Sequence, residues 1–246
     1  MRQLGEALDE LLSGGVRRVV LDNTFLSRAA RSYVIEPASR HGLPARCVWL
    51  DTPLAQAQVN LVERLLERFG RLPNPDELRR VARGEPGLLM PTSQMRAVRE
   101  LEPPSADEGL SAVEVVAFAR TARPRSDRVG VFVAAPALRD VGWKDALAAA
   151  DRAAPHLVFD WSPGGSASVI APAVACVVAA VSGPVEGALC PHPGGPPSCW
   201  CRPPLPGLLL AFSRAHNVDP SRSVLLGAGP AHRTLATTLG ARYLSS

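Results

Sequence analysis

Four side chains that can bind a metal lie within twelve residues, in the segment CPHPGGPPSCWCRPPLPG at 190–207. Cys190, His192, Cys199 and Cys201 form the pattern C-x-H-x6-C-x-C, in which two close pairs are separated by six residues. Thiolates and imidazoles are ligands that Zn2+ prefers, and four of them complete a tetrahedral shell without an open position for catalysis. The pattern therefore predicts a structural zinc site.

Two alternatives to zinc are open for this segment. A disulfide is disfavoured because Cys199 and Cys201 are too close in sequence to bridge each other without strain, and one thiol would stay unpaired. The second alternative is three incidental thiols beside a surface histidine. Zinc is preferred to both, because chance seldom places four such donors in so short a segment.

The composition is that of a globular protein with a core: 46% of the 246 residues are apolar and 20% are charged. The net charge is only +4, and Lys144 is the single lysine among 27 basic residues. Arginine enrichment of this kind indicates a coding bias and is poor evidence for nucleic-acid binding. The N-terminus shows no signal peptide, so we expect a cytoplasmic protein with reduced thiols.

Residues 164–185 carry no charge and are long enough to test as a membrane span. They contain Pro172 and Pro184 and lack Leu and Phe. We therefore predict two buried elements separated by a turn, and no membrane association.

Hydrophobic periodicity predicts alternating helices and strands in the first half of the chain. A helix over 4–12 ends at Gly14-Gly15, and Asn74-Pro75 with Glu77 predicts a capping box. The other predicted elements are strands at Val16–Leu21, Ala45–Leu50 and Val113–Phe118, and helices over 27–40, from Thr52-Pro53 to Phe69, and over Thr92–Leu101. Strand–helix order of this kind indicates parallel strands with right-handed crossovers.

A polar segment, RTARPRSDR at 120–128, separates this half from a second alternating region. We predict strands at 129–135, 156–160, 223–227 and 241–244, and helices at 143–152, 206–216 and 230–239. The fold class is therefore α/β, with two three-layer units: residues 1–120, a linker at 121–128, and residues 129–246 with the zinc loop inserted.

Four motifs in the first half resemble the kinase domain of polynucleotide kinase/phosphatases: VVLDNT (19–24), SRAAR (27–31), WLDTPLAQAQVN (49–60) and ELEPPSADEGLSAVEVVAF (100–118). The resemblance implies that Asp22, Asn23 and Thr24 bind phosphate or substrate at the carboxyl end of a strand. It also implies that Arg64 and Arg68 are lid arginines that clamp phosphates. The alternative is that Asp22 and Thr24 cap the next helix and that both arginines belong to a solvated face.

Transfer of phosphate from ATP requires a G-x-x-x-x-G-K-[ST] loop, which the 246 residues do not contain. In the kinases that this half resembles, that loop would precede Met1. We therefore expect a truncated gene product or a fragment that no longer binds nucleotide. ATP and Mg2+ are expected as cofactors only if an upstream phosphate loop exists.

The second half resembles zinc-containing HAD-type phosphatases, the group of histidinol phosphatases and heptose-bisphosphate phosphatases. The resemblance rests on the zinc loop, on CRPPLPG (201–207), and on SVLLGAGPAHRTLATTLGARYL (223–244). It implies a HAD-like phosphatase domain, degenerate in its catalytic motifs, and makes Arg202 a candidate phosphate ligand. A kinase followed by such a domain is similar to the bifunctional enzymes that repair nucleic-acid ends.

The catalytic residues of that family are replaced in this sequence. Alignment on VGVFVAAPALR (129–139) places Ala134 and Pro136 where the family has two aspartates, and Pro203 where it has a lysine. The acidic metal-binding motif is replaced by Gly-Ala-Gly-Pro-Ala-His at 227–232. We therefore assign no catalytic residue and predict a pseudoenzyme in the second half, with a compensating mechanism through Asp160 and His232 as an alternative.

Three hypotheses about function follow. The first is a polynucleotide 5′-kinase/3′-phosphatase-like protein whose phosphatase half is inactive and whose kinase half lacks the ATP-binding loop in this chain. The second is a non-enzymatic, zinc-stapled module that binds nucleic-acid ends or a protein partner. The third is an active phosphatase with relocated catalytic residues. Whether the chain is an enzyme is left open by its sequence.

Overall fold

The computed structural model of the chain describes residues 1–85, 87–119 and 126–246, and the predicted linker at 121–128 falls largely outside them. The chain forms two compact units. Unit 1 comprises Met1–Pro53 and Gln94–Arg120, and unit 2 comprises Leu54–Ser93 and Thr121–Ser246. Both units contain helices and parallel strands, which confirms the predicted α/β class.

The helices of the described residues are α1 (Arg2–Ser13), α2 (Arg28–Arg40), α3 (Leu54–Phe69), α4 (Pro75–Gly84), α5 (Pro91–Glu100), α6 (Trp143–Ala148), α7 (Ala167–Val178), α8 (Gly207–Ala215) and α9 (Pro230–Leu239). The strands are β1 (Arg46–Asp51), β2 (Ala112–Ala117), β3 (Val131–Ala134), β4 (His156–Trp161), β5 (Val185–Cys190), β6 (Val224–Gly227) and β7 (Arg242–Ser245). Most of them agree with the prediction to within two or three residues.

In unit 1, β1 and β2 form a two-stranded parallel sheet in which Arg46 pairs with Ala112 and Asp51 with Ala117. A buried ion pair ties α2 to the turn before β2. The Arg31 guanidinium donates to both carboxylate oxygens of Glu108 at 2.6 and 2.7 Å, and the two side chains are only 7% and 2% exposed. This contact holds the pKa of the Glu108 carboxyl below its usual range.

The predicted strand at Val16–Leu21 is wrong, because these residues form no strand and Val20 is 82% exposed. A strand needs hydrogen bonds from a neighbouring strand, and a short β-branched run supplies only the local preference. Both strands of the described sheet also expose much of their surface: Leu50 is 68% and Val115 55% exposed. A three-layer arrangement is therefore found in unit 2 and not in the described part of unit 1.

Unit 2 contains a five-stranded parallel sheet with the order β5-β4-β3-β6-β7. Helices α6 and α7 cover one face over a core that includes Val131, Val133 and Val158. Helices α3, α8 and α9 cover the other face, where Phe132 and Phe159 join the core. Because both faces are covered, the central strands are apolar on both sides.

Residues 54–93 pack within unit 2, although the sequence analysis placed them in a domain that extends to residue 120. On α3, Leu65 and Leu66 are buried in the same core as Leu209 of α8. Helix α4 begins with the predicted capping box, since Asn74 Oδ1 accepts from the Glu77 amide at 2.9 Å and Glu77 Oε2 accepts from the Asn74 amide at 3.0 Å. The predicted domain limits follow the family resemblance and stay a prediction.

The uncharged segment 164–185 forms α7, a turn and the start of β5. The prediction of two buried elements is wrong in one respect, because only Ile170 and Val177 of α7 are buried while Val169 and Val178 are about half exposed. No helix in the described ranges is long and apolar enough to cross a membrane.

Candidate metal centre and the carboxyl edge of the sheet

The edge strand β5 positions the first pair of candidate ligands. Cys190 is its last residue and pairs with Trp161 of β4. Past the strand, the Ser162 amide donates to the Cys190 carbonyl at 3.0 Å, and the Trp161 indole Nε1 donates to the His192 carbonyl at 2.9 Å. Cys190 and His192 therefore extend the hydrogen-bonded edge of the sheet.

The hydrophobic core positions the second pair through Trp200, which lies between Cys199 and Cys201 and is only 2% exposed. Its indole Nε1 donates to the Leu89 carbonyl at 3.0 Å. Its carbonyl accepts from the Gly207 amide at 3.1 Å, at an approach so close that a Cβ on Gly207 would lie 2.3 Å from that oxygen. The arm that carries both cysteines is thus fixed by packing and by backbone contact.

The four donor atoms converge, and all lie within 4.8 Å of one another. Cys190 Sγ lies 3.6 Å from Cys199 Sγ and 3.3 Å from Cys201 Sγ, and His192 Nδ1 lies 3.1 Å from Cys201 Sγ. Sulfur atoms in a tetrahedron about zinc, at Zn–S bonds of about 2.3 Å, are separated by about 3.8 Å. The donor set and its spacing therefore fit a four-coordinate metal ion such as zinc, with no position left open.

The three thiols compete for protons because they lie within hydrogen-bonding distance of one another. Donation from Cys190 and Cys201 lowers the pKa of the Cys199 thiol. Contact with Cys199 raises the pKa of Cys190, and contacts with Cys190 and Cys199 raise the pKa of Cys201. A metal ion binds the deprotonated forms, so its binding would release protons from this cluster.

Arg202 follows the last cysteine and makes several contacts with the loop itself. Its guanidinium donates to the Pro193 carbonyl at 3.1 Å and to the Gly195 carbonyl at 2.6 Å. It also lies over the Trp161 ring, 5.2 Å from the centroid. These contacts hold the loop together, and phosphate binding by Arg202 stays a prediction.

The carboxyl ends of β3 and β6 form the crevice where an open α/β sheet usually binds its ligand, because the strand order reverses between them. Ala134 ends β3 and is fully buried, and Pro136 lies in the following turn. Gly227 ends β6 and is followed by Ala228. None of these positions offers a nucleophile, a proton donor or a metal ligand.

Two polar side chains flank this crevice, Asp160 on β4 and His232 on α9. Asp160 Oδ1 accepts from the Trp161 amide at 2.7 Å, and His232 Nδ1 accepts from the Ala228 amide at 3.2 Å. Burial lowers the pKa of His232, while the negative charge of Asp160 opposes this shift. A neutral His232 that uses Nδ1 as an acceptor carries its proton on Nε2.

Asp22, Asn23 and Thr24 lie together in an irregular segment of unit 1, where Asn23 Oδ1 accepts from the Thr24 amide at 2.7 Å. The alternative that Asp22 and Thr24 cap the next helix is wrong. The N-cap of α2 is Ser27, whose side chain accepts from the Ala30 amide. A ligand-binding role for the three residues stays a prediction.

Arg64 and Arg68 lie on α3 in unit 2 and both contact the segment that follows α4. Arg64 Nη1 donates to the Gly87 carbonyl at 2.8 Å, and Arg68 forms an ion pair with Glu85 at 3.2 Å. The ion pair raises the pKa of Arg68. These contacts give both arginines local partners, so phosphate clamping is untested by the fold.

Several residues that support the metal centre and unit 1 were not predicted from the sequence. Trp200 and Trp161 hold the two arms of the loop, and an aromatic residue between two cysteines was the available signal for Trp200. The Arg31–Glu108 pair joins two of the motifs quoted above. No local pattern links residues 77 positions apart, so this contact had no signal in a single sequence.

Comparison with known proteins gives a family match and similarity to solved structures. A family model described as an AAA domain matches residues 1–80. The chain is similar to a HAD-superfamily hydrolase of subfamily IA, variant 1, from Geobacter sulfurreducens PCA, with 15% identity and a TM-score of 0.30; the match covers 82% of this chain and 89% of that one. No curated protein matches the sequence.

Proposed function

We propose that the chain is a polynucleotide kinase/phosphatase-like protein whose second half is a zinc-stapled, non-hydrolytic module. The observation that supports this most is a contrast within unit 2. The four donors of the zinc loop converge within 4.8 Å. At the crevice between β3 and β6, Ala134, Pro136, Gly227 and Ala228 carry no ionisable group, and Asp160 and His232 only flank it. The AAA-domain match to residues 1–80 supports a kinase-like first half.

Hydrolysis by a HAD-type phosphatase needs groups that this crevice lacks. An aspartate must attack phosphorus, a second carboxylate must move a proton, and carboxylates must hold Mg2+ while a lysine balances phosphate charge. Ala134, Pro136, Pro203 and Ala228 supply none of these functions. The module would bind or position a nucleic-acid end without cleaving its phosphate.

Zinc in this module would have a structural role. Cys190, His192, Cys199 and Cys201 would hold it, and a closed four-ligand shell neither activates water nor polarises a substrate. The ion would join the end of β5 to the arm anchored by Trp200. Because the 246 residues contain no phosphate loop, we propose no ATP or Mg2+ site within them.

The proposed inactivity is tested with 3′-phosphorylated oligonucleotides and small sugar phosphates in the presence of Mg2+. We expect no turnover from the wild type or from the single variants Ala134→Asp and Pro203→Lys, because the missing groups act as a unit. The fivefold variant Ala134→Asp, Pro136→Asp, Pro203→Lys, Ala228→Asp, His232→Asp is the positive test. Mg2+-dependent turnover by the wild type that is lost in Asp160→Asn would establish the third hypothesis instead.

The proposed ligand class is tested by fluorescence anisotropy with labelled oligonucleotides that carry 5′-hydroxyl or 3′-phosphate ends. Binding should weaken as salt concentration rises, because phosphate contacts release counterions. Equal affinity for oligonucleotides whose ends are blocked and for oligonucleotides whose ends are free would contradict end recognition.

A protein partner is a second candidate, favoured by the exposed strands of unit 1. Val48 and Leu50 are 53% and 68% exposed and share one face of the sheet with Val116, which is 37% exposed. Adjacent exposed apolar side chains of this kind commonly mark an interaction site. Light scattering of the purified chain tests this candidate in its simplest form. A monodisperse monomer that stays soluble at high concentration would show that these strands do not associate with a second copy of the chain.

A further inference from the structure

A cavity of about 600 Å³ lies between α6 and α7 of unit 2, away from the metal centre. Its lining includes Trp143, Lys144, Leu147, Arg152, Cys176 and Ala179. The volume lies within the range of small-molecule sites, which is roughly 300–1,000 Å³. Trp143 and Leu147 are buried and form an apolar wall, whereas Lys144 and Arg152 are exposed.

The α7 side of this cavity lies toward the amino ends of the strands, whereas the phosphatase-like crevice lies at their carboxyl ends. In a parallel α/β sheet the helix after a strand runs back along it, so the last turn of α7 lies beside the amino ends of the strands. Cys176 belongs to that turn and Ala179 is the C-cap residue after it, and Arg152 precedes the first residue of β4 by four positions. The Arg152 carbonyl accepts from the Ser182 and Gly183 amides at 2.9 and 2.8 Å, which fixes its backbone.

Both charged side chains that line the cavity are basic. The eight lining residues, all within the described part of the chain, include no Asp or Glu. Lys144 Nζ lies 5.7 Å from the Trp143 ring centroid, and its ammonium makes no ion pair with a described residue. The neighbouring Asp151 does not line the cavity, and its side chain accepts from the Ala153 amide at 2.9 Å. An anion is therefore the complementary ligand.

We propose that this cavity binds a small amphipathic anion, which carries a carboxylate or a phosphate on a compact apolar body. Lys144 and Arg152 would bind the anionic group, since charge-assisted hydrogen bonds are stronger than neutral ones. The body would pack against Trp143 and Leu147, because flat rings stack favourably on indole. This inference is independent of the proposed function, since it uses no residue of the crevice or of the zinc loop.

A set of probes with one shape and different charges tests the proposal on the zinc-loaded full chain. Phenylacetate and phenyl phosphate are the anions, phenylacetamide is neutral, and phenethylammonium is a cation; binding is followed by NMR chemical-shift titration. We expect saturable binding of at least one anion, about tenfold tighter than that of the neutral probe, and no binding of the cation. The two anions distinguish a carboxylate site from a phosphate site.

Variants assign the binding to the cavity. Lys144→Gln and Arg152→Gln should each weaken anion binding about fivefold, whereas Arg214→Gln, an exposed arginine on α8, should leave it unchanged. Ala179→Phe should fill the cavity and abolish binding. In a Cys47→Ser background, bound anion should also slow the alkylation of the exposed Cys176.

Three results would overturn the proposal. The first is equal affinity for the anionic, neutral and cationic probes, and the second is anion binding that survives both charge-removing variants. The third is the absence of any binding at 10 mM anion. This concentration is well above about 1 mM, the upper end of typical affinities for small metabolites. The results of the phosphatase assay and of the oligonucleotide-binding assay do not affect this proposal.

Discussion

The zinc loop and the crevice between β3 and β6 belong to the same unit and differ completely in chemical content. In the loop, Cys190, His192, Cys199 and Cys201 are all present and converge. In the crevice, Ala134, which the family resemblance aligns with an aspartate, has a buried methyl group. The loop thus offers four groups that can bind a metal, whereas the positions at the ends of β3 and β6 offer none.

The two regions also differ in how far their residues support the fold. Trp200 of the loop belongs to the core that α3, α8 and the sheet share. Ala134 of the crevice lies in the same core, but its side chain is a single methyl group, and Pro136 and Ala228 follow the strands in turns. We therefore expect the loop to depend on the core through one large anchor, Trp200, which the crevice does not have.

The largest expected effect is the loss of zinc in Cys199→Ser. The wild type should contain about one zinc per chain, because structural zinc sites bind with roughly 10–16 kcal/mol in small domains. The variant should contain almost none by elemental analysis. Cys176→Ser changes an exposed thiol of α7 and is the matched control, which should keep its zinc. A metal-free wild type purified from zinc-replete medium would contradict the assignment of the site.

The second prediction separates packing from metal binding in the loop. Trp200→Ala should lower the free energy of unfolding by about 3–5 kcal/mol, because it empties a buried aromatic site. Trp161→Ala removes an indole that is 39% exposed and donates to one carbonyl, so it should cost only about 1 kcal/mol. Urea denaturation with saturating zinc measures both values, and similar losses would show that Trp200 is no anchor.

The third prediction concerns Ala134→Asp, which places a carboxyl group at a fully buried position of the crevice. Burial without a partner should destabilise the fold by roughly 1–3 kcal/mol at neutral pH. The buried carboxyl should have a raised pKa, so the penalty should be small below about pH 4 and grow as pH rises. Thermal unfolding across pH measures this, with Ala134→Ser as control; a penalty independent of pH would show that the carboxyl reaches solvent.

The smallest expected effect is the pH dependence of stability that arises from two histidines at opposite ends of the sheet. Burial lowers the pKa of both His156, at the amino end of β4, and His232, at the carboxyl edge. A lowered pKa in the folded state means that the unfolded chain binds protons first. Stability should therefore be complete above about pH 6.5 and fall as the pH drops below that value.

Substitution by phenylalanine should flatten this dependence at either position. At pH 7 the two variants should differ, because the His156 ring has only the Ala154 backbone as a polar neighbour, outside normal hydrogen-bond geometry, whereas His232 accepts from the Ala228 amide. His232→Phe should cost about 1 kcal/mol and His156→Phe close to nothing. Chemical denaturation at several pH values distinguishes the two, and a larger loss for His156→Phe would indicate a partner for its ring.

Much of the local structure and of the candidate metal site could be predicted from the sequence. The capping box at Asn74 and Glu77, the turn glycines and the helical periodicities are short-range patterns, so neighbouring residues suffice to produce them. The zinc donors could be found for the same reason, since each pair is separated by one residue and the pairs by six.

Tertiary structure decided what depends on residues far apart in the chain. Val16–Leu21 has the composition of a strand but no neighbour to hydrogen-bond with, so it is not one. The apolar face of α3 packs in unit 2 rather than with the motifs beside it in sequence. The sequence by itself determined which residues could bind a metal and which motif residues of the resembled phosphatases are replaced, because these are matters of side-chain chemistry. Only the fold decided which surfaces are buried and that Lys144 and Arg152 line one cavity, because burial and proximity arise from contacts between distant segments.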